Sequence, residues 1–474
     1  MPAVTRASAA LEKAGIPTVS IIGSTFVQLA IFTGETKGVR GLPVVSYPGV
    51  FSVETEESFR EKFRNILLDD VIAKLTRPVE AKELLPPKTR QREFIAADTF
   101  EQANEIFFNN RWTDGLPIVP PTKEKVVEFL KYIDLSPDQE IAILPPANLR
   151  ATPWNIAVNG VMAGCKPEHM PVLLAIVEAL GDKEFNLEHL GTTWGDIPFV
   201  FINGPIVKEL GFSYGQGAIS LGPNPAIGRF LGFITRNVAG FVPGETYMGT
   251  WGYPLPFVLA ENEEESPWEP YHVEKGFDRN ASTVTVGGAF NWGPQKSFND
   301  MKSVEAGLVW LCDYLGKVIQ TPKTWMMAST DMYALLLTPP VARKFAEGGF
   351  SKQGLIEHVW KHTTLSVGEL HSKFLDGAIG KPGTIRYYLE WGRVEEAKIR
   401  EFEALEAKGP ETVLPQIINP KEIHIFVTGD PGRDKIQCFW CWYNHPISKE
   451  IKLPSHWDKV RENPKNRRSS KKLE

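Results

Sequence analysis

A chain of 474 residues exceeds what one ordinary hydrophobic core holds, so two or more domains are expected. A hydrophobic share of 42%, a charged share of 23% and a net charge of -5 fit a globular protein and exclude a nucleic-acid surface. Four cysteines exclude a disulfide framework, and no apolar run reaches the roughly 18 residues that span a bilayer, so the expected setting is cytoplasmic with no membrane partner.

In chain order, Val4 to Ala14 places small and apolar residues at Ala7, Ala10, Leu11 and Ala14, and Gly15 stops the predicted helix. Ile16 to Ile22 is a β-branched, buried-strand pattern, followed by a helix over Phe26 to Glu35. Gly41 to Tyr47 is a second strand, and Thr55 to Leu75 a long helix. Strands alternating with helices imply a parallel sheet with crossover connections. The segment opens on a helix, so its first strand is absent. Met1-Pro2 stands where a strand-to-helix loop, the usual ligand site, would lie.

The run Ala-Leu-Glu-Lys-Ala-Gly-Ile-Pro-Thr-Val over Ala10 to Val19, with Gly41 to Val45 and Tyr47-Pro48, resembles the selenoprotein family named for its selenocysteine-Gly-Ser-Cys motif, the UGSC family. It is more distantly similar to the selenoprotein B subunits of glycine and proline reductases. In the UGSC family the reactive motif sits just before the helix that opens this chain, yet no cysteine occurs in residues 1–164. The resemblance therefore implies a selenocysteine encoded upstream of Met1. A separate subunit or a degenerate domain are the alternatives.

The expected division is a small UGSC-like α/β domain at 1–76, a polar linker at 77–95 carrying Pro86-Pro87, a large α/β domain at 96–460 and a basic tail at 461–474. In the large domain, Arg111-Trp-Thr-Asp-Gly-Leu-Pro117 is a turn leading into an extended run, and it too resembles the larger domain of that family. The apolar helix from Thr152-Pro153 stops at Gly164-Cys165-Lys166-Pro167 and restarts at Pro171. The junction holds a thiol, Cys165, with Glu168 and His169, the candidate catalytic groups; a buried structural cysteine is the plainer reading.

Phe199 to Ile202 is a buried strand ended by Asn203-Gly204-Pro205, which makes Asn203 a candidate substrate contact. A glycine-dense loop over Gly211 to Gly222 leads into a helix carrying Arg229. Glycines let backbone N–H groups approach a ligand, and an arginine gives a carboxylate or phosphate a bidentate contact. The bland alternative is a structural loop and an ordinary ion pair. Glu261 and His272 read as surface groups, with a general acid–base pair as the alternative.

Cys312 shares an apolar helix face with Leu308 and Leu315, so it belongs to the core. Thr324 to Thr330 is predicted as an apolar strand. His358 and His362 share a helix face at metal-ligand spacing, but Val359 stands where a zincin needs glutamate, which favours a solvated face. Glu422 to Thr428 is a buried strand, and the loop Gly429 to Lys435 at its carboxyl end would hold an anion through Arg433 and Lys435. Cys438 and Cys441, with His445 beyond them, have the spacing of a redox dithiol or part of a metal site. On a strand, however, the two thiols point to opposite faces.

The expectation is an α/β enzyme, an oxidoreductase or lyase. A thiol or selenol would cleave a carbon–heteroatom bond in a small anionic substrate by a reductive or lytic route. A metal-dependent hydrolase or lyase using Cys438 and Cys441, and a non-catalytic subunit that binds a redox partner protein, are the alternatives. Homo-oligomerisation is compatible with all three.

Overall fold

The computed structural model describes residues 2–51, 54–76, 93–252, 256–290, 293, 295–298, 303–319, 321, 323–326, 328, 332–376, 383–442 and 444–461. Most of the expected linker and nearly all of the basic tail lie outside these residues.

The N-terminal segment forms as its periodicity predicts. Helix Pro2–Lys13 precedes strand β1 (Ser20–Gly23), helix Val27–Thr36 and strand β2 (Val44–Tyr47). The two strands pair in parallel, Ser20 opposite Val44. The expected long helix runs from Glu56 to Leu75, with a π-helical turn at Phe63–Leu67, and the Thr55 side chain caps it by accepting from the Ser58 N–H at 3.2 Å. The buried Tyr47 ring stacks on Phe51 and Phe59 at 4.3 and 5.7 Å. This segment rests on the rest of the chain through polar contacts. Glu188 receives Lys37 at 2.6 Å and also pairs with Arg6, and the Asn148 amide donates to the Thr36 carbonyl at 2.9 Å.

Beyond residue 93 the chain adds a short hairpin, β3 (Ala142–Leu144) with β4 (Leu149–Ala151). Then follow β5 (Ile197–Asn203), β6 (Phe257–Ala260), β7 (Thr283–Ala289), β8 (Lys296–Ser297) and β9 (Met332–Leu337). A second hairpin joins β10 (Thr364–Ser366) to β11 (Val413–Pro415). The last strands are β12 (Ile423–Val427), β13 (Lys435–Cys441) and β14 (Ile447–Glu450). The large domain was expected to hold one sheet. It has two of four strands, in the orders β6-β5-β7-β14 and β12-β9-β13-β8.

The two sheets share an apolar layer. Phe199, Phe201 and Leu259 of one meet Leu336, Phe426 and Phe439 of the other, with Phe201 and Phe426 ring centroids 4.2 Å apart. Alternate residues of the same strands face outward. Val200, Ile202 and Val284 pack under helices Pro153–Ala163, Met170–Leu180 and Asn224–Ile234. Tyr333, Leu335 and Ile425 pack under helices Val304–Val318, Pro339–Glu347 and Lys352–His362. Strands buried on both faces must be apolar at every position, which is why β5 and β9 read as unbroken apolar runs. Each fully buried phenylalanine contributes about 1.5–3 kcal/mol relative to an exposed one.

The sheets are built alike. β5 and β6 are parallel and β7 antiparallel to β5, as β9 and β12 are parallel and β13 antiparallel to β9. The fourth strand is exchanged: β8 follows β7 in the chain but pairs with β13, while β14 follows β13 but pairs with β7. The chain thus repeats one βαβββ unit, each copy lending its last strand to the other.

The strand expected at Thr324 to Thr330 does not form. Lys323–Met326 is helical, with the Thr324 hydroxyl donating to the Gln416 carbonyl at 3.2 Å. Tertiary packing overrode the local β-propensity there. Residues 327, 329 and 330 of that run lie outside the described residues.

Candidate functional site

The carboxyl ends of β9 and β12 open onto a cavity of 230 Å³. Its floor is Leu259 and Leu336 from the inter-sheet layer. Its walls are Gly215–Ile219 from the glycine-dense loop on one side, and Thr428, Gly429, Asp430, Arg433 and Lys435 on the other. Two segments singled out separately in the sequence, more than 200 residues apart, therefore meet at one place. A cavity of this size is smaller than those that hold drug-sized ligands.

The loop is fixed by buried hydrogen bonds. The Asn224 side chain accepts from the Ser213 N–H at 3.0 Å and donates to the Ser213 and Val258 carbonyls at 3.0 and 3.2 Å. The Gly429 N–H donates to the Tyr214 carbonyl at 2.8 Å, tying the two walls together. Gly222 has φ +62°, and a Cβ there would lie 2.6 Å from the Gly211 carbonyl oxygen, so only glycine closes the turn.

The cavity is polar in a directed way. Arg433 pairs with Asp430 at 3.1 Å and keeps 60% of its side chain exposed, so its remaining N–H groups are free to take an anion. Lys435 stands half-buried at the start of β13, its N–H donating to the Thr338 hydroxyl at 3.0 Å. Deeper in, Gln437 is 5% exposed; its Nε2 donates to the Gly293 carbonyl, and its Oε1 has no partner among the described residues. An unpartnered buried acceptor is rare in a folded protein, which marks Gln437 Oε1 as a candidate ligand contact.

Arg229, also expected at an anion, is placed elsewhere. It forms a bidentate pair with Asp114, both contacts at 2.8 Å, and donates to the Leu116 and Pro117 carbonyls at 3.2 and 2.9 Å. Burial works against ionisation of Asp114, but the Arg229 hydrogen bonds and charge outweigh it and hold the carboxyl below its usual range. Arg229 thus anchors the Trp-Thr-Asp-Gly-Leu-Pro turn onto the helix that follows the glycine loop.

The Cys165 junction lies in the core under the first sheet. Gly164 ends the preceding helix at φ +83°, as the sequence indicates, and the Cys165 N–H donates to the Gly160 carbonyl at 3.0 Å. Burial alone pushes the Cys165 thiol far above its ordinary range. His169 is 3% exposed, its Nδ1 accepts from the Lys166 N–H at 3.1 Å, and burial with the Lys166 charge lowers it to about 3. Glu168 is half-buried, 4.0 Å from the Lys166 ammonium. The three groups sit together at the helix joint, and none of them lines the cavity.

Cys438 points into the layer beneath the helices and Cys441 into the inter-sheet layer, so the Cys-x-x-Cys pair is split by the sheet. Burial pushes Cys438 up to about 12. His445, four residues beyond the end of β13 at Cys441, is half-buried. The partner of Cys441 is a residue the sequence did not mark: Asp196, just before β5, whose carboxylate oxygens lie 3.2 and 3.3 Å from Sγ, with the Asn444 Oδ1 at 3.3 Å. Burial holds Asp196 well above the usual carboxylate range. Cys312 is buried, as expected, and burial raises it to about 11. The His358 and His362 rings lie tilted against each other, centroids 4.3 Å apart, beside a cleft of 810 Å³. Among the described residues no group of three or more His, Cys, Asp and Glu converges as a metal site. No helix there is long and apolar enough to cross a membrane.

All four cysteines are buried. A disulfide reagent such as DTNB is therefore expected to titrate none of them in the folded protein and all four after denaturation; rapid reaction of one thiol in the folded state would reveal an accessible nucleophile.

Glu261 and His272, read as surface groups, are 2% and 0% exposed. The apolar run of β6 carries Glu261 inward past the strand end, where its carboxylate accepts from the Asn203 amide and, at 2.7 Å, from the Tyr271 N–H. Burial pushes Glu261 up to about 7, against the opposing pull of Lys352. Asn203 therefore faces Glu261 at the end of the first sheet, not the cavity at the end of the second.

No curated protein and no solved structure matches the chain. Residues 2–77, the helices and paired parallel strands that open it, match the model of the UGSC family, and the match is confined to this N-terminal part.

Proposed function

We propose that the protein is an enzyme acting on a small anionic organic molecule bound in the cavity at the ends of β9 and β12. One observation carries the reading: the glycine-dense loop and the Gly-Asp-Pro-Gly-Arg-Asp-Lys loop wall a single cavity that holds Arg433, Lys435 and the unpartnered Gln437 carbonyl. The cations take an acid group. The Gln437 oxygen takes a hydroxyl or amine hydrogen on the same molecule, which points to hydroxy or amino acids of a few carbons.

The chemistry we assign is thiol- or selenol-dependent cleavage of a carbon–heteroatom bond, by a reductive or lytic route. Support for it comes from the UGSC match over residues 2–77. The attacking group is assigned to the selenocysteine or cysteine motif of that family, since the four cysteines of this chain are buried. In the reductive route the selenolate or thiolate displaces the heteroatom group, and a dithiol from a redox partner protein resolves the adduct by supplying two electrons.

The test is a calorimetric binding screen with glycolate, lactate, glycine, alanine and their phosphorylated relatives. A ligand from this set is expected to bind about tenfold more weakly to Lys435→Ala and to Arg433→Ala, the loss for one charge-assisted contact. Affinities unmoved by both substitutions would remove the cavity from the reading.

A further inference from the structure

The loop that walls the anion cavity also walls a second one. Residues 431–435, with Pro340 and Lys344 of helix Pro339–Glu347, line a cavity of 550 Å³. Arg433 and Lys435 belong to both linings, so the two cavities share these cations, and Lys344 belongs to the second alone.

The protein does not neutralise these cations itself. Among the described residues neither the Lys344 nor the Lys435 ammonium pairs with a carboxylate, whereas Arg343, beside Lys344 on the helix, pairs with Glu265 at 2.6 Å. Lys344 is seated over the Phe298 ring, its Nζ 5.4 Å from the centroid. The Phe298 N–H donates to the Asp434 carbonyl at 2.9 Å, which ties that ring to the loop. Arg433 commits its Nε to Asp430 at 3.1 Å, and its other guanidinium donors are free among the described residues. The acidic residue of the lining, Asp434, is 8% exposed, and its Oδ1 accepts from the Ser297 hydroxyl at 3.2 Å. The helix end adds no donor. Pro339 and Pro340 have no N–H, and the Val341 and Ala342 N–H groups both donate to the Thr338 carbonyl, at 3.0 and 3.1 Å. An anion in this cavity is therefore held by the side-chain cations.

We propose that the second cavity takes a second acid group of the same substrate, a phosphoryl group or a carboxylate, which makes the substrate a doubly anionic acid of a few carbons. The proposal rests on the assignment of the first cavity to an acid group, and it names the class of molecule bound there. Three cations gathered along one wall repel one another, and a single carboxylate brings one charge to offset them. Two acid groups neutralise the set. Lys344 is the contact specific to the second group. Arg433, with a planar fork of donors, and Lys435, with three rotatable ones, stand in both linings and serve both groups.

The test is calorimetry of the full chain at constant ionic strength with two pairs of probes, serine with phosphoserine and lactate with malate. Each pair differs by the second acid group and keeps the amine or hydroxyl beside the first. In the wild type the doubly acidic member is expected to bind about tenfold more tightly than its partner. Lys344→Ala is expected to abolish that advantage and leave serine and lactate unchanged, whereas Lys435→Ala weakens binding of all four. Arg343→Ala removes the same charge from the neighbouring position and is expected to preserve the advantage. A larger advantage for phosphoserine identifies the second group as phosphoryl, and a larger one for malate identifies it as a carboxylate. The proposal is overturned if the doubly acidic probes bind no more tightly than their partners, if the advantage survives Lys344→Ala, or if Arg343→Ala abolishes it equally. Serine or lactate binding that depends on Lys435 without such an advantage would sink this inference alone; no binding of any of the four would sink the anion cavity with it.

Discussion

Arg229→Ala is expected to destabilise the protein by roughly 3 kcal/mol, at the lower end of what breaking a buried ion pair costs. The Arg229 and Asp114 side chains are 18% and 16% exposed, so the pair is largely withdrawn from water. Removing the guanidinium leaves the Asp114 carboxylate with backbone donors alone, the Leu116 N–H at 3.2 Å among them, and takes the Arg229 donors from the Leu116 and Pro117 carbonyls. It also removes the cation from the Phe233 ring, whose centroid lies 4.9 Å from Cζ. The loss should reach the cavity. Helix Asn224–Ile234, which carries Arg229, begins with the asparagine that pins the glycine loop. Urea unfolding of Arg229→Ala, Asp114→Ala and the double variant measures the coupling. A cost below about 1 kcal/mol would reclassify the pair as an ordinary surface contact.

The second large effect depends on pH. Glu261 titrates near 7 in the fold against a reference of 4.5, because burial disfavours its charge. The folded state therefore holds this proton more tightly than the unfolded chain does. The associated stability is fully present below pH 4.5, falls as pH rises towards 7, and is constant above that. Glu261→Gln keeps the shape and carries no charge. Relative to the wild type, it is expected to be more stable at pH 8 than at pH 5 by roughly 2–3 kcal/mol. Denaturant titrations at the two pH values check this, and a difference independent of pH would show that Glu261 is not held protonated by burial.

These effects concern residues that the sequence marked unevenly. Arg229 was legible as a candidate anion ligand, because an arginine on a helix after a glycine-dense loop carries that meaning. Nothing local could show that Asp114, over a hundred residues earlier, would satisfy it. Glu261 opens a run of four acidic residues among five, Glu261-Asn-Glu-Glu-Glu265, and such runs are normally solvated. The strand before it drives the first of them inward, while Glu264 keeps 61% of its side chain exposed. Cys441 was legible as a thiol on a strand, and its separation from Cys438 followed from strand periodicity. Its contact with Asp196 did not, because it joins the end of one sheet to the start of another.

The sequence by itself determined the local elements. It marked the parallel pair of the first 76 residues, the helix break at Gly164, the strand ends at Asn203 and Thr428, and the UGSC resemblance. Each rests on short-range rules: periodicity, caps and turn residues. Tertiary structure alone decided which strand ends share a cavity. Exchange of the fourth strands brings two βαβββ units face to face, and that pairing sets Arg433, Lys435 and Gln437 against the glycine loop. It also buries Glu261, Asn203 and Thr283 at the end of the first sheet. Burial, which has no local signature in a polar residue, is what turned a strand-end carboxylate into a group titrating near 7 and left Cys165 in the core.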